Sequence, residues 1–199
     1  MGLFSMFFGK SVFSRDWPPS TGYIPEVDLQ RGAIGSLRFG DPIEAARSFG
    51  KPTEHRIYGS DASAQSGSGN LQYRDIGLEL EYERGRFVLM AFVIAEEEGG
   101  VRYVNKSVEP SVLMASVIAE EDHPTHPPKQ LARPRLSDGT ELTPDTTEAD
   151  LTRRFGTPKS RDEDEDETVV IYELPNTTVM EFEFNAAGKL MRWNYYLND

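Results

Sequence analysis

The chain has 199 residues, of which 38% are hydrophobic and 27% are charged, a composition typical of a soluble globular protein. Its 33 acidic and 21 basic residues give a formal net charge of −12. Such a surface repels nucleic-acid phosphate, so nucleic acid is not expected as a partner, and a protein with a basic patch is favoured. The absence of cysteine excludes disulfides, thiolate metal sites and cysteine nucleophiles.

Residues 1–31 are predicted to form an N-terminal arm with one short amphipathic helix. Its apolar residues recur at helical spacing; they are Leu3, Phe4, Phe7, Phe8 and Val12. Docking of this helix on the protein's own core is favoured, with a partner protein or a membrane surface as the alternatives. The basic residues follow the apolar patch, whereas a secretory signal begins with them, and no stretch reaches transmembrane length. We therefore expect a cytoplasmic protein without integral membrane association.

A short helical module occurs twice, and its second copy is the clearer one. It has the pattern T-x-x-D-L-x-x-x-F-G-x-P, formed by Thr147, Asp150, Leu151, Phe155, Gly156 and Pro158. Thr147 and Asp150 have approximately the spacing and character of a capping box. Gly156 is expected to close the helix in a left-handed conformation, and Phe155 to be buried against the sheet that follows.

The first copy is looser and has Asp41, Ala45, Phe49, Gly50 and Pro52 at the matching positions. Asp41 is predicted to be the N-cap, with Pro42 at the first helical position. Gly50 is expected to close this helix as Gly156 closes the other.

Each helix precedes segments that alternate between apolar and acidic residues, as half-buried antiparallel strands with a solvated acidic face do. The outward-facing acidic residues are Glu79, Glu81 and Glu83 in the first copy and Glu181 and Glu183 in the second. Residues 84–86 and 185–189 are predicted hairpin turns. The repeated order predicts an α+β fold of two tandem units, each a short helix packed on an antiparallel sheet.

The predicted units span residues 32–119 and 136–199, and a proline-rich linker at 120–135 separates them. Residues 111–122 nearly repeat residues 87–98. Because residues 112–119 are apolar on every face, both strand and helix stay open there, with a strand that extends the first sheet favoured.

The motif, placed before an aromatic antiparallel sheet, resembles the repeat unit of the β-lactamase-inhibitory protein and of the small lipoproteins of outer-membrane assembly. The resemblance leaves out the N-terminal arm and the linker. It implies two units whose paired sheets form one concave face that grips another protein. The disulfides and the acylated cysteine of those families are absent here.

No residue pattern indicates catalysis, a metal site or a cofactor. His123 and His126 have a ligand-like spacing, but the proline-rich linker offers no helix to aim both imidazoles at one ion, so a solvated linker is favoured over a metal site. His55 is expected at the surface. Residues 67–69 have no lysine or following helix, which indicates a flexible loop rather than a phosphate-binding loop.

The acidic run at residues 162–167 is predicted to be a solvated, partly mobile loop. Asp162, Asp164, Asp166 and Glu173 fall on calcium-loop positions, but Glu167 stands where such a loop needs glycine. Calcium binding, docking of a basic patch and DNA mimicry are the alternatives.

The outward-facing glutamates are predicted to merge into one acidic sheet face that binds a basic protein. Tyr196 would flank this face, and the run with Asp162, Asp164 and Asp166 would overhang it. We therefore expect a non-enzymatic protein-binding protein of the inhibitor, immunity or adaptor type. A role in binding a small ligand in the cleft between the units, with or without catalysis, and a structural role in a larger assembly are the alternatives. The glutamates could also serve only to keep the sheet soluble.

Overall fold

The fold is dominated by β-strands. The computed structural model describes residues 14, 16–58, 67–96 and 129–198. Its strands are β1 Val27–Asp28, β2 Ala33–Ile34, β3 Leu37–Arg38, β4 Glu54–Tyr58, β5 Ser68–Tyr73, β6 Leu78–Glu83, β7 Arg86–Val93, β8 Ala95–Glu96, β9 Lys129–Gln130, β10 Ser160–Glu163, β11 Glu167–Glu173, β12 Thr178–Asn185 and β13 Leu190–Leu197. The helices of the described residues are short: a 3₁₀ helix at Ile43–Phe49 and α1 at Glu148–Phe155.

Eight of these strands form one antiparallel sheet, in the order β10-β11-β12-β13-β7-β6-β5-β4. The first half of the chain supplies β4 to β7 and the second half supplies β10 to β13. Strands β7 and β13 join at the centre, where Trp193 lies opposite Phe92. The predicted α+β fold of two helix-on-sheet units is therefore wrong, because the protein is mainly β and its halves share one sheet. Pairing β7 with β13 satisfies backbone groups that two separate sheets would each leave at an edge.

One face of the large sheet, which we call the core face, carries the hydrophobic core. Aromatic rings stack along it across the junction of the halves: the ring centroid of Trp193 lies 4.9 Å from that of Phe92 and 6.0 Å from that of Phe182. The small sheet β1-β2-β3 packs here as well, and Tyr195 Oη donates a 2.8 Å hydrogen bond to the carbonyl oxygen of Leu29. These contacts tie the two halves into one core.

Both helices pack on the core face, to different depths. Phe49 is 2% exposed, and its ring centroid lies 6.1 Å from that of Tyr73. Phe155 is only partly buried; its ring centroid lies 5.6 Å from that of Tyr172 and 6.2 Å from that of Phe182. The predicted contact of Phe155 with the sheet is present, but full burial was wrong.

Helix α1 begins with the predicted capping box. The Thr147 hydroxyl accepts a 3.2 Å hydrogen bond from the backbone N–H of Asp150, and the Asp150 carboxylate accepts a 3.1 Å bond from the backbone N–H of Thr147. Hydrogen bonds from Thr147 and then from Arg153 lower the pKa of Asp150. Leu151 is the fully buried residue of this helix.

The 3₁₀ helix begins differently from the prediction. Its N-cap is Pro42, with φ −56° and ψ 135°, and no side chain in the described part of the chain caps it. The Asp41 carboxylate instead accepts a 2.8 Å hydrogen bond from the backbone N–H of Arg38. Asp41 therefore closes the turn after β3 rather than capping the helix.

The glycines that end the helices have the positive φ that was predicted, but not a left-handed helical ψ. Gly50 has φ 84° and ψ −166°, and Gly156 has φ 83° and ψ −155°. This region is essentially restricted to glycine. The chain then turns away at Pro52, which is buried, and at Pro158, which is half-buried.

Some predictions concern residues 1–13 and 97–128, outside the described residues: the N-terminal helix, the strand or helix at 112–119, and His123 and His126. The glycine-rich loop was predicted to include residues 67–69, but Ser68 and Gly69 belong to β5, so that part of the prediction is wrong. A Cβ atom at Gly69 would collide with the carbonyl of Arg56 and lie 2.6 Å from Tyr82 Oη. Glycine therefore lets β5 pack closely here.

Candidate functional site

The candidate site is the other face of the eight-stranded sheet, which we call the open face. Residues paired across the strands lie side by side on it in rows. The middle row crosses all eight strands through Ser160, Ile171, Glu181, Asn194, Ala91, Glu79, Gln72 and Glu54. The row on one side contains Asp162, Val169, Glu183, Arg192 and Val93. The row on the other side contains Glu173, Val179, Tyr196, Leu89, Glu81, Asn70 and Arg56.

The structure therefore brings glutamates of both halves onto one face. Glu79 and Glu181 lie in the same row, with Ala91 and Asn194 between them. Glu81 lies in the next row, and Glu83 is exposed at the hairpin end of β6 opposite Arg86. The face is not purely acidic, however, since Arg192 lies among these glutamates.

Hydrogen bonds organise the glutamates of the second half. The Asn194 amide nitrogen Nδ2 donates a 2.8 Å bond to Glu181 Oε1 and a 2.9 Å bond to Glu183 Oε1. Arg192 Nε donates a 2.9 Å bond to Asn194 Oδ1. One amide thus holds two carboxylates side by side, and the guanidinium fixes the amide.

Arg192 links this group to the first half. Its Nη2 lies 3.7 Å from Glu79 Oε2, and its Nε lies 3.9 Å from Glu183 Oε1. Glu79 Oε1 also accepts hydrogen bonds from Asn70 Nδ2 and, at 3.3 Å, from Gln72 Nε2. The resulting network of three carboxylates and one guanidinium spans β5, β6, β12 and β13.

The charged side chains of this network are partly buried, which changes the strength of their interactions. Desolvation raises the pKa of Glu183, Arg192 opposes the rise, and the charges of Glu181 and Glu167 add to it. The Arg192 side chain is 16% exposed. Charges in such partly desolvated positions interact more strongly than they would in bulk water.

Aromatic residues lie beside the network. Tyr196 is half-buried, and burial followed by the charge of Glu181 raises its pKa. Tyr58, on the edge strand β4, is 49% exposed. Burial, then Glu81 and Glu79, raise the pKa of Tyr58 to about 12, so its phenol is neutral at neutral pH.

The acidic run at 162–167 is largely exposed, as predicted, but it is the end of a β-hairpin rather than a loop throughout, because its two ends belong to β10 and β11. Asp162 lies on β10 opposite Val169. Asp164 Oδ1 accepts hydrogen bonds of 3.0 and 2.9 Å from the backbone N–H groups of Asp166 and Glu167, which close the turn. Asp162 therefore belongs to a row of the open face, whereas Asp164 and Asp166 lie in the turn beyond β10.

No family model, curated protein or solved structure matches the chain. The resemblance to the β-lactamase-inhibitory protein and the small lipoproteins therefore stays a prediction.

Within the described residues, few chemical groups outside the open face indicate a different kind of functional site. His55 was expected at the surface but is half-buried, with Nε2 2.8 Å from Tyr82 Oη, and burial lowers its pKa to about 4. No group of three or more His, Asp or Glu side chains in the described ranges has the arrangement of a metal site. Neither described helix has the length and apolar character to cross a bilayer.

A cleft of about 260 Å³ lies within the second half rather than between the halves. Its lining is strongly charged and includes Glu148, Arg161, Glu163, Glu165 and Glu167. Arg161 pairs with Glu148 and Glu163. The cleft lacks the mainly apolar lining of a typical small-molecule site.

Sequence reasoning missed the residues that organise the open face: Arg192, Asn194, Asn70 and Gln72. A signal for two of them was present, because Arg192 and Asn194 alternate with the aromatic Trp193 and Tyr195 on the last strand. Their contact with Glu79 depends on the pairing of β7 with β13, which no local pattern indicates.

Proposed function

We propose that the protein binds another protein through the open face and acts without catalysis, as an inhibitor, an immunity protein or an adaptor. The partner presents a basic patch. The organised carboxylates around Arg192 and Asn194 support this function more than any other feature.

A face that only keeps a sheet hydrated needs no fixed side chains. On the open face, Glu181 and Glu183 instead share the amide of Asn194, which holds both carboxylates in place. Groups that are already ordered lose little conformational entropy on binding, so they favour recognition.

Apolar side chains on the same face are consistent with a protein partner. Ile171, Val169, Leu89 and Tyr196 are half-buried beside the network. Protein interfaces combine such apolar and aromatic contacts with polar groups of complementary charge. The overall charge of −12 adds long-range attraction for a basic partner.

The test is capture of a partner by the immobilised full chain from a lysate of its own cells at low salt. The Glu181→Lys/Glu183→Lys variant reverses charge on the open face, whereas Glu26→Lys/Glu141→Lys changes the net charge equally at exposed residues elsewhere. We expect a stoichiometric protein to be retained by the wild type and the control, lost from the open-face variant, and released by salt. Equal retention by both variants, or no retained protein together with activity toward a metabolite, would contradict the proposal.

A further inference from the structure

At the end of the open face that β4, β5 and β6 form, the side chains have an arrangement that goes beyond a general negative charge. Register places Arg56, Asn70 and Glu81 side by side on β4, β5 and β6. Tyr58 follows two residues after Arg56 and lies opposite Ser68. An exposed aromatic ring, an amide, a carboxylate and the guanidinium of Arg56 thus occupy one corner of the sheet.

Asn70 is the unusual member of this corner. The residue is 3% exposed, and its Oδ1 accepts no hydrogen bond from the residues that the structure describes. Its Nδ2 donates to Glu79, so flipping the amide to find a donor for Oδ1 would break the bond to that carboxylate. A buried acceptor without a donor costs free energy, which a ligand N–H would recover.

We propose that this corner binds an arginine side chain of the partner, with the Tyr58 ring stacked on the guanidinium and with Asn70 Oδ1, Glu79 and Glu81 accepting its hydrogen bonds. This inference rests on the proposed function and names the chemistry that the face recognises. A guanidinium is planar and carries five donors, so it can stack on a ring and bond to several acceptors at once. A lysine ammonium has the charge but not the planar fork.

The native arginines nearby are already committed to another carboxylate. Arg56 Nε donates a 2.6 Å hydrogen bond to Glu54 Oε1, and Arg74 pairs with the other oxygen of the same carboxylate. Both cations are therefore held at the β4 edge. Glu79 faces Arg192 at 3.7 Å from the opposite side of the corner.

The experiment uses the full chain with ¹⁵N labelling and N-acetyl-argininamide as the probe, titrated at low salt. N-acetyl-lysinamide keeps the charge without the fork, and N-acetyl-citrullinamide keeps the shape without the charge. We expect the arginine probe to shift the Asn70 side-chain amide and the Tyr58 backbone resonance saturably. Lysine should bind at least about threefold more weakly, and citrulline should not bind measurably.

Tyr58→Leu and Glu81→Gln should each weaken the arginine probe about threefold to tenfold, the range of a lost cation–π or charge-assisted contact. Tyr23→Leu is the matched control, since Tyr23 is also exposed, at 63%. Melting temperatures would check that each variant is folded. Equal affinity for the arginine and lysine probes, or no effect of Tyr58→Leu in a folded protein, would overturn the inference.

The two proposals fail separately. If a protein partner is lost from the Glu181→Lys/Glu183→Lys variant but bound equally well by Tyr58→Leu, the arginine site is wrong and the proposed function stands. If the arginine probe binds at Tyr58 and Asn70 but no protein is retained and the chain is active toward a metabolite, the arginine site stands and the proposed function is wrong.

Discussion

Arg192 of β13 reaches across β7 to Glu79 of β6, and its Nη2 lies 3.7 Å from Glu79 Oε2. This contact joins side chains that are far apart in the chain and belong to different halves. Both side chains are 16% exposed, so the pair is partly shielded from water. The charged side chains of the two halves therefore interact directly on the open face.

Replacing Arg192 by methionine should lower the free energy of unfolding at neutral pH by about 1–3 kcal/mol, less than for a fully buried ion pair. The variant keeps the side-chain stem but leaves three carboxylates without their cation. Urea unfolding measures the change. Arg135→Met is the matched control: Arg135 is 52% exposed and 3.8 Å from Glu141, so its loss should cost less than about 1 kcal/mol. Equal losses of unfolding free energy in the two variants would mean that Arg192 stabilises the fold no more than an exposed arginine does.

Glu183→Gln should stabilise the protein at neutral pH. Burial raises the pKa of Glu183 in the folded state above its ordinary value of 4.5. A raised pKa means that the folded state favours the protonated form, so its contribution to stability is present below the unfolded pKa and is lost as pH rises through the folded pKa. Glutamine is neutral throughout and can still accept the bond from Asn194.

Thermal unfolding of the wild type and of Glu183→Gln between about pH 4.5 and pH 7 checks this expectation. The variant should gain relative to the wild type as pH rises. Glu173→Gln, at an exposed residue, is the control and should show no such gain. A difference that stays constant with pH would show that Glu183 titrates normally.

Gly50→Ala should destabilise the protein more than Gly156→Ala. The φ angles of Gly50 and Gly156 are 84° and 83°, so each substitution should cost about 1–3 kcal/mol in backbone strain. At Gly50 the added Cβ would also collide with the carbonyl of Pro19 and lie 2.7 Å from Ser20 Cα, whereas at Gly156 it would meet none of the described residues within 4 Å. Chemical denaturation of the two variants measures the difference, and equal losses would rule out a steric role for the Pro19 contact.

Phe49→Ala should cost about 3–5 kcal/mol, since Phe49 is 2% exposed and its removal leaves a cavity in the core. Phe155→Ala should cost less, about 1–3 kcal/mol, because Phe155 is only partly buried against Tyr172 and Phe182. Urea unfolding of both variants tests the order. A larger loss for Phe155→Ala would show that α1 contributes more to the core than the 3₁₀ helix does.

The features that the sequence by itself determined are local. The spacing of Thr147 and Asp150 was enough to indicate the capping box, because both partners lie within one helical turn. The alternation around Glu79 and Glu181 identified β6 and β12 and the outward direction of the glutamates, because successive side chains of a strand point to opposite faces. Asp41 shows the limit of such patterns: its carboxylate could cap a helix or close the preceding turn, and it bonds to Arg38.

Only the tertiary structure decided that the halves share one sheet and that Arg192 meets Glu79. Each four-stranded half has a strand edge whose backbone groups can pair with any other strand, so the alternation that identifies β7 and β13 does not say that they are neighbours. Once they pair, register sets Asn194 opposite Ala91 and Ala91 opposite Glu79. The short side chain of alanine lies between the two polar groups, and the long side chain of Arg192 reaches the carboxylate beyond it. Which strand pairs with which depends on the packing of the whole core, whereas capping and alternation depend on neighbours in sequence.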